Sequence, residues 1–289
     1  VTAPARPAEF SISVQNRGVL AEAENLVPLA ERADALGYDA LWVTDHIVVP
    51  FEIKSSYPFS ATGQFIIGAT GDYLDPLAAL SFLAGRTRRI RVGTSILVMP
   101  MRHPLESAKA LATLDVLSGG RLIVGAGTGW LAEEFAVLGV SFAERVARTE
   151  EHLPKPHPPI WIGGHGPRAL HRVAELADGW KPMGLRPPGK FEPDEFAGEV
   201  RKLRDLAAAR DRDPEAISVA IKVPVRSADG LAGPSRPTLA GSPAQIIDDL
   251  ARYREAGVRH FILDFATPEV GEMHATLNRF AREVRPSVS

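Results

Sequence analysis

The chain has 289 residues, a net charge of −2, no cysteine, 45% hydrophobic and 24% charged residues. That is enough for a large core in one domain or two smaller ones. The charge balance argues against nucleic acid as the main partner, the missing thiols exclude disulfides, thiolate metal sites and cysteine nucleophiles, and no apolar run reaches bilayer length.

The opening VTAPARPAEF has no apolar signal-peptide core and reads as a loose lead-in, so a cytoplasmic protein is expected. Phe10 to Val14 reads as the first strand. Leu20 to Leu36 has helical spacing through Ala23, Val27 and Ala30, and Gly37 ends it. Ala40 to Thr44 is the second strand, with Asp45-His46 where it stops. Ile47 to Leu74 is too long for an ordinary connection and reads as a functional loop. Its Phe51, Tyr57, Phe59, Phe65 and Tyr73 are expected either to line an apolar or aromatic cavity or to fold the loop over the barrel rim. Asp75-Pro76 caps a helix through Ala84. Ile90 to Leu97 is the third strand, Pro104 to Leu117 a helix, and Leu122 to Ala126 the fourth strand. Helical pieces follow at Ala132 to Leu138 and Phe142 to Leu153. Pro159 to Ile162 is the fifth strand, Gly179 to Met183 the sixth, Ser218 to Val225 the seventh and His260 to Phe265 the eighth. Helices follow at Pro167, at Pro193 to Arg210, from the Ser242-Pro243 cap to Ala256, and at Glu269 to Val284.

Eight apolar strands, each followed by helix, are expected to form an α/β TIM barrel of a single domain rather than an open doubly wound sheet. Chemistry then belongs at the C-terminal ends of the strands. One joint stands out: the helix ending at Leu153 runs uncapped into PKPHPP. It reads either as a short proline connection or as a place where residues are absent between Leu153 and Pro154.

IWIGGHGPRAL, Ile160 to Leu170, is a strand, a glycine turn and a helix start. Unpaired N–H groups converge there, with the helix dipole behind them, and Arg168 adds a charged donor. The stretch reads as a phosphate cradle, or as a tight turn with no ligand. Asp45-His46 is the acid/base candidate, or a pair that only fixes the long loop. Gly125-Ala126-Gly127-Thr128-Gly129 has the wrong spacing for a dinucleotide fingerprint, and its glycines suit close approach of a ligand instead. Lys181 leaves open a rival class, a Schiff-base lyase. No metal-ligand spacing is present among the eight histidines.

GYDALWVTDH, RIRVGTSILVMPMRHP, GRLIVGAGTGW and PPIWIGGHGPRALHRVAELADGW, in that order, resemble the bacterial luciferase-like flavin-dependent oxidoreductases, most of all the branch that uses the deazaflavin coenzyme F420. The resemblance covers Phe10 to about Phe265 and implies a TIM barrel. It implies that Asp45 and His46 sit beside the reactive face of the cofactor, with His46 as acid/base or orienting residue. It implies a bulge with a non-prolyl cis peptide at Ser95–Ile96, Gly127 and Thr128 lining the cofactor, and Gly163, Gly164, His165 and Gly166 holding its phosphate. The implied cofactor is F420, with FMN as the alternative in a two-component, oxygen-using monooxygenase; a cofactor-storing relative is a third possibility. A homodimer, a small-molecule substrate and a separate flavin or F420 reductase are the implied partners. Trp130 stands where hexose-phosphate-oxidising members carry Glu directly after GTG, which speaks against a sugar-phosphate substrate. The family also has a longer segment before PPIWIGG, which matches the Leu153–Pro154 joint.

Overall fold

A computed structural model describes residues 7–65, 73–151, 157–227, 231, 233, 236–265, 267 and 269–288. The Leu153–Pro154 joint lies outside them. Eight strands, β1 (Glu9–Ser13), β2 (Ala40–Val43), β3 (Arg91–Thr94), β4 (Leu122–Gly127), β5 (Ile160–Ile162), β6 (Gly179–Trp180), β7 (Ser218–Pro224) and β8 (His260–Asp264), pair in parallel in chain order. β8 returns to β1, with Phe10 opposite Phe261, so the sheet closes into a TIM barrel. Nine helices surround it among the described residues: α1 (Ala23–Ala35), α2 (Pro76–Arg86), α3 (Pro104–Ser118), α4 (Ala132–Val137), α5 (Arg145–Glu151), α6 (Pro167–Leu176), α7 (Pro193–Ala208), α8 (Pro243–Glu255) and α9 (Val270–Glu283). None is long and apolar enough to cross a membrane.

Strand alternation divides the core in two. Phe10, Ile12, Leu41, Val43, Val124, Ile160, Ile221, Val223, Phe261 and Leu263 face the helices and form the large outer core. Ala40, Trp42, Ile123, Trp161, Ala220 and Ile262 fill the barrel itself. The Trp42 and Trp161 rings meet at 5.4 Å across the middle. They fit because glycines stand beside them: a Cβ on Gly93 would lie 2.5 Å from the Trp42 ring, and one on Gly179 2.6 Å from Trp161. The indoles are a floor. Everything above them opens toward the C-terminal ends of the strands.

Below that floor Glu9 accepts from His260 Nδ1 at 2.7 Å, His260 Nε2 bonds Ser11 Oγ, and Arg91 pairs with Glu9. Carboxylate, imidazole and hydroxyl in that order match a nucleophile relay. Ser11 is wholly buried and lines neither cavity described below, and the network ties β1 to β8. The His260 hydrogen bond, with Arg91 beside it, holds the Glu9 carboxyl down from 4.5 to about 2, and burial holds the His260 imidazole below its ordinary value. Both folded-state values are depressed, so both contributions are present above the unfolded values and are lost as pH falls. The thermal midpoint is expected to drop between about pH 4.5 and 2 more steeply in the wild type than in Glu9→Gln; parallel curves would show that Glu9 does not carry this dependence.

Four boundaries differ from the sequence reading by three residues: the helix expected from Phe142 starts at Arg145, and three others have an evident cause. The first helix starts at Ala23, because a 3₁₀ turn, Gly18–Ala21, ends in extended backbone at Glu22. The third strand breaks after Thr94, and Leu97–Val98 re-pairs with Ala126 and Gly127. The sixth strand stops at Trp180 because Pro182 has no N–H to continue the ladder; only Met183 regains a bridge, to Lys222.

Candidate active site

Two cavities open at the C-terminal ends of the strands, one of about 830 Å³ and one of about 260 Å³. Gly127, Thr128, Gly163 and Gly164 line both, so the two spaces adjoin. Asp45, His46, Ser95 and Ile96 line the larger; His165, Gly166 and Arg168 line the smaller. The residues singled out in the sequence thus converge on one face of the barrel.

His46 follows β2 and is buried. Its Nδ1 lies 2.7 Å from Glu134 Oε2. A carboxylate only accepts, so Nδ1 carries the proton and Nε2 is left toward the cavity. Glu134 is itself fixed: its Oε1 accepts from the backbone N–H of Ile47 at 2.7 Å and of Val48 at 3.1 Å. Its neighbour Glu133 accepts from Lys54 and Ser55, each at 2.9 Å. The first turn of α4 therefore clamps the long loop and the histidine together. Phe65, Tyr73 and Trp130 ring the imidazole at 5.2–6.2 Å. Asn16 ties the base of the loop, donating to Thr44 O at 2.9 Å and Leu74 O at 2.8 Å.

Asp45 turns elsewhere. Its oxygens accept from both Arg102 nitrogens, at 2.6 and 2.7 Å, and from Val98 N at 2.8 Å. Burial pushes its carboxyl up, while the Arg102 fork pulls it back. This bidentate pair anchors the end of β2 to the segment after β3.

The Ser95–Ile96 peptide is cis and forms the bulge after β3. Lys181 Nζ donates to Ser95 Oγ at 2.8 Å and lies over the Trp42 ring. Burial, with Lys222 nearby, holds its amine well below the ordinary value. Ile96 lies across Gly127, where a Cβ would sit 1.9 Å from Ile96 Cδ1. The smaller cavity is built at the start of α6. Gly164 is left-handed, with φ of 110°, Gly166 is the N-cap with open space where a Cβ would go, and Pro167 opens the helix. Arg168 and Arg172, four residues apart, both line it; Arg172 also pairs with Glu150 at 3.0 Å. His165 lines it with its ring stacked on Phe191 and its Nε2 donating to the Met183 carbonyl. Burial holds that imidazole below its ordinary value, so it adds no charge at neutral pH.

The long loop supplies Tyr57, Phe59, Phe65 and Tyr73 to the larger cavity, joined by Trp130. Phe51 corrects the expectation: it is 91% exposed and lines neither of these cavities. Glu134, Arg172, Lys222 and Arg17 were not singled out in the sequence. Acidic residues in a helix's first turn are ordinary dipole partners, so Glu134 gave no signal. Lys222 did: a lysine stands in the otherwise apolar run SVAIKVPV.

A family model described as luciferase-like monooxygenase matches residues 7–154 and 152–232, and its two pieces meet at the Leu153–Pro154 joint. The uncharacterized protein Rv0940c of Mycobacterium tuberculosis (strain H37Rv) is 29% identical over 273 residues, spanning 84% of this chain and 85% of the relative. Among solved structures, the monooxygenase RslO1 of Streptomyces bottropensis superposes with a TM-score of 0.76 at 22% identity, covering 97% of this chain and 100% of that one. An F420-dependent secondary alcohol dehydrogenase, solved with an F420-acetone adduct, superposes with a TM-score of 0.74 at 16% identity, covering 98% and 100%. These two likenesses share the fold, and the sequence match gives the family: the chain belongs to the luciferase-like monooxygenases, a family of flavin- and F420-dependent oxidoreductases.

Proposed function

We propose that the protein is an F420-dependent oxidoreductase that moves a hydride between the deazaflavin and a small organic substrate. The observation that carries this is the placing of an oriented imidazole, His46 on Glu134, in a cavity that continues into a glycine cradle at a helix start. The residues suit a phosphorylated ring cofactor. The Gly164 turn and the open position at Gly166 leave backbone N–H groups and the α6 dipole free for a phosphate, with Arg168 and Arg172 alongside. Ser95, Ile96, Gly127 and Thr128 give a smooth, small-residue wall for a flat ring. F420 is favoured over FMN by the ordered motifs of the F420 branch. When bound, it supplies a carbon that accepts or returns a hydride.

The chain's own residues do the rest. His46 Nε2 takes the proton of a substrate hydroxyl, or returns it to a carbonyl. Glu134 holds the imidazole in the tautomer that permits this. The aromatic loop and Trp130 exclude water from the reacting atoms. Glu134→Gln keeps the shape; with its amide oxygen on the Ile47 and Val48 N–H groups, it turns a donor and not an acceptor toward His46 Nδ1. It is expected to cost part of the roughly 10²–10⁴-fold general acid–base factor in kcat with cofactor affinity retained; unchanged kcat would remove Glu134 from the account. A homodimer and a separate cofactor reductase belong to the same proposal.

Titrating the purified protein with reduced F420 and reduced FMN tests the reading. Binding of F420 with oxygen-independent turnover is expected. Tight FMN binding with oxygen-dependent turnover would replace it with the two-component monooxygenase.

A further inference from the structure

The larger cavity carries a charge surplus that the cofactor reading leaves unused. Arg17, Lys181, Arg186 and Lys222 all line it. Asp264, at the end of β8, pairs with Arg186 at 3.0 Å. Asp45 and Glu134 are committed to Arg102 and His46, and Lys181 gives its amine to Ser95. Lys222 and Arg17 remain without an ion-pair partner among the described residues, Arg17 with the Tyr73 hydroxyl beside it. Lys222 points into the barrel from β7 and is 6% exposed, and among the described residues no ion pair or hydrogen bond engages its Nζ. Burial holds its amine down to about 8; Asp264 pulls it up, and Arg186 and Arg17 push it down further. It is therefore cationic at neutral pH. A buried ammonium without a partner is costly, and an incoming anion relieves that cost.

The placing separates this surplus from the phosphate cradle. Ser95, Thr128 and Gly163 follow β3, β4 and β5. Lys222, Asp264 and Arg17 belong to β7, β8 and the segment after β1, across the mouth of the barrel. Tyr57 lies within electrostatic reach of Arg17, Arg186 and Asp264, so the aromatic wall and the cationic end enclose one space.

We propose that Lys222 and Arg17 form an anion subsite for the substrate, and that the substrate is an organic acid with an apolar body, its carboxylate on these two cations and its body along Tyr57 and Phe65. The proposal rests on reading the cavity as a joint cofactor and substrate site.

Calorimetric titration of the cofactor-free protein with benzoate and with its neutral counterpart benzamide tests it. Benzoate is expected to bind at least about tenfold more tightly, the scale of one charge-assisted contact. Lys222→Met and Arg17→Gln are each expected to abolish that preference, Lys222→Arg to keep it, and Arg168→Gln in the cradle to leave it unchanged. Thermal melting confirms folding, and if Lys222→Met does not fold, Arg17→Gln carries the test alone. Equal binding of the two probes overturns the proposal, as does a preference that survives Arg17→Gln and any folded Lys222→Met. A preference lost in Arg168→Gln also overturns it, since the anion then sits in the cradle. The probes need no cofactor, so a failure to bind F420 or FMN leaves this outcome readable by itself.

Discussion

Replacing His46 with alanine is expected to lower turnover by roughly 10²–10⁴-fold while cofactor affinity stays within about twofold, the signature of a group that acts on the reacting proton and not on cofactor binding. The reason lies in three fixed contacts. Glu134 accepts from Nδ1 at 2.7 Å, and the Ile47 and Val48 N–H groups hold Glu134. Nε2 is left as the free polar atom of the ring. Steady-state kcat and a cofactor titration on the same variant separate the two effects. Unchanged turnover would refute the role. Loss of cofactor binding with an intact fold would make His46 a binding residue.

Replacing its neighbour Asp45 with alanine is expected to act on stability first, by up to about 3–5 kcal/mol, because it removes both short contacts of a guanidinium that is only 13% exposed and leaves it the 3.3 Å contact to Asp75. The Val98 N–H loses its acceptor as well. Arg102→Ala is expected to cost a similar amount, and the double variant less than the sum, since the two side chains share one interaction. Urea unfolding measures all three. An Asp45→Ala protein of wild-type stability and severely reduced turnover would return Asp45 to the chemistry. Two adjacent residues at the end of β2 thus hold different partners, Arg102 for Asp45 and Glu134 for His46, which the dipeptide alone does not reveal.

Much of the barrel was legible because parallel strands buried on both faces leave long apolar runs, and glycine, proline and Asp or Ser caps mark the joints. Asp75 accepts from Leu77 and Ala78 as a cap should, and Ser242 with Gln245 forms a full capping box. The break after Thr94 is not legible from periodicity, because Ile90 to Leu97 holds no proline or turn pair to mark it; only the family resemblance points to it. The partner of His46 was hidden for a different reason. Glu134 lies 88 residues away and looks like a routine first-turn acid. The cationic end of the cavity is half legible: a lysine in a barrel strand is conspicuous, but that Asp264, the carboxylate nearest in effect, is paired with Arg186 emerges only from the closed sheet. Trp130, a departure from the sugar-phosphate pattern in the sequence, stands beside His46 in the aromatic wall at 6.2 Å.

The central claim is that one phosphorylated ring cofactor spans both cavities, with its phosphate at the start of α6. A crystal structure of the protein with F420 bound tests this most directly. The account predicts phosphate density against Gly163 to Gly166 and Arg168, with the ring in the larger cavity beside His46. Phosphate density beyond β7 and β8, or a ring remote from His46, would contradict it.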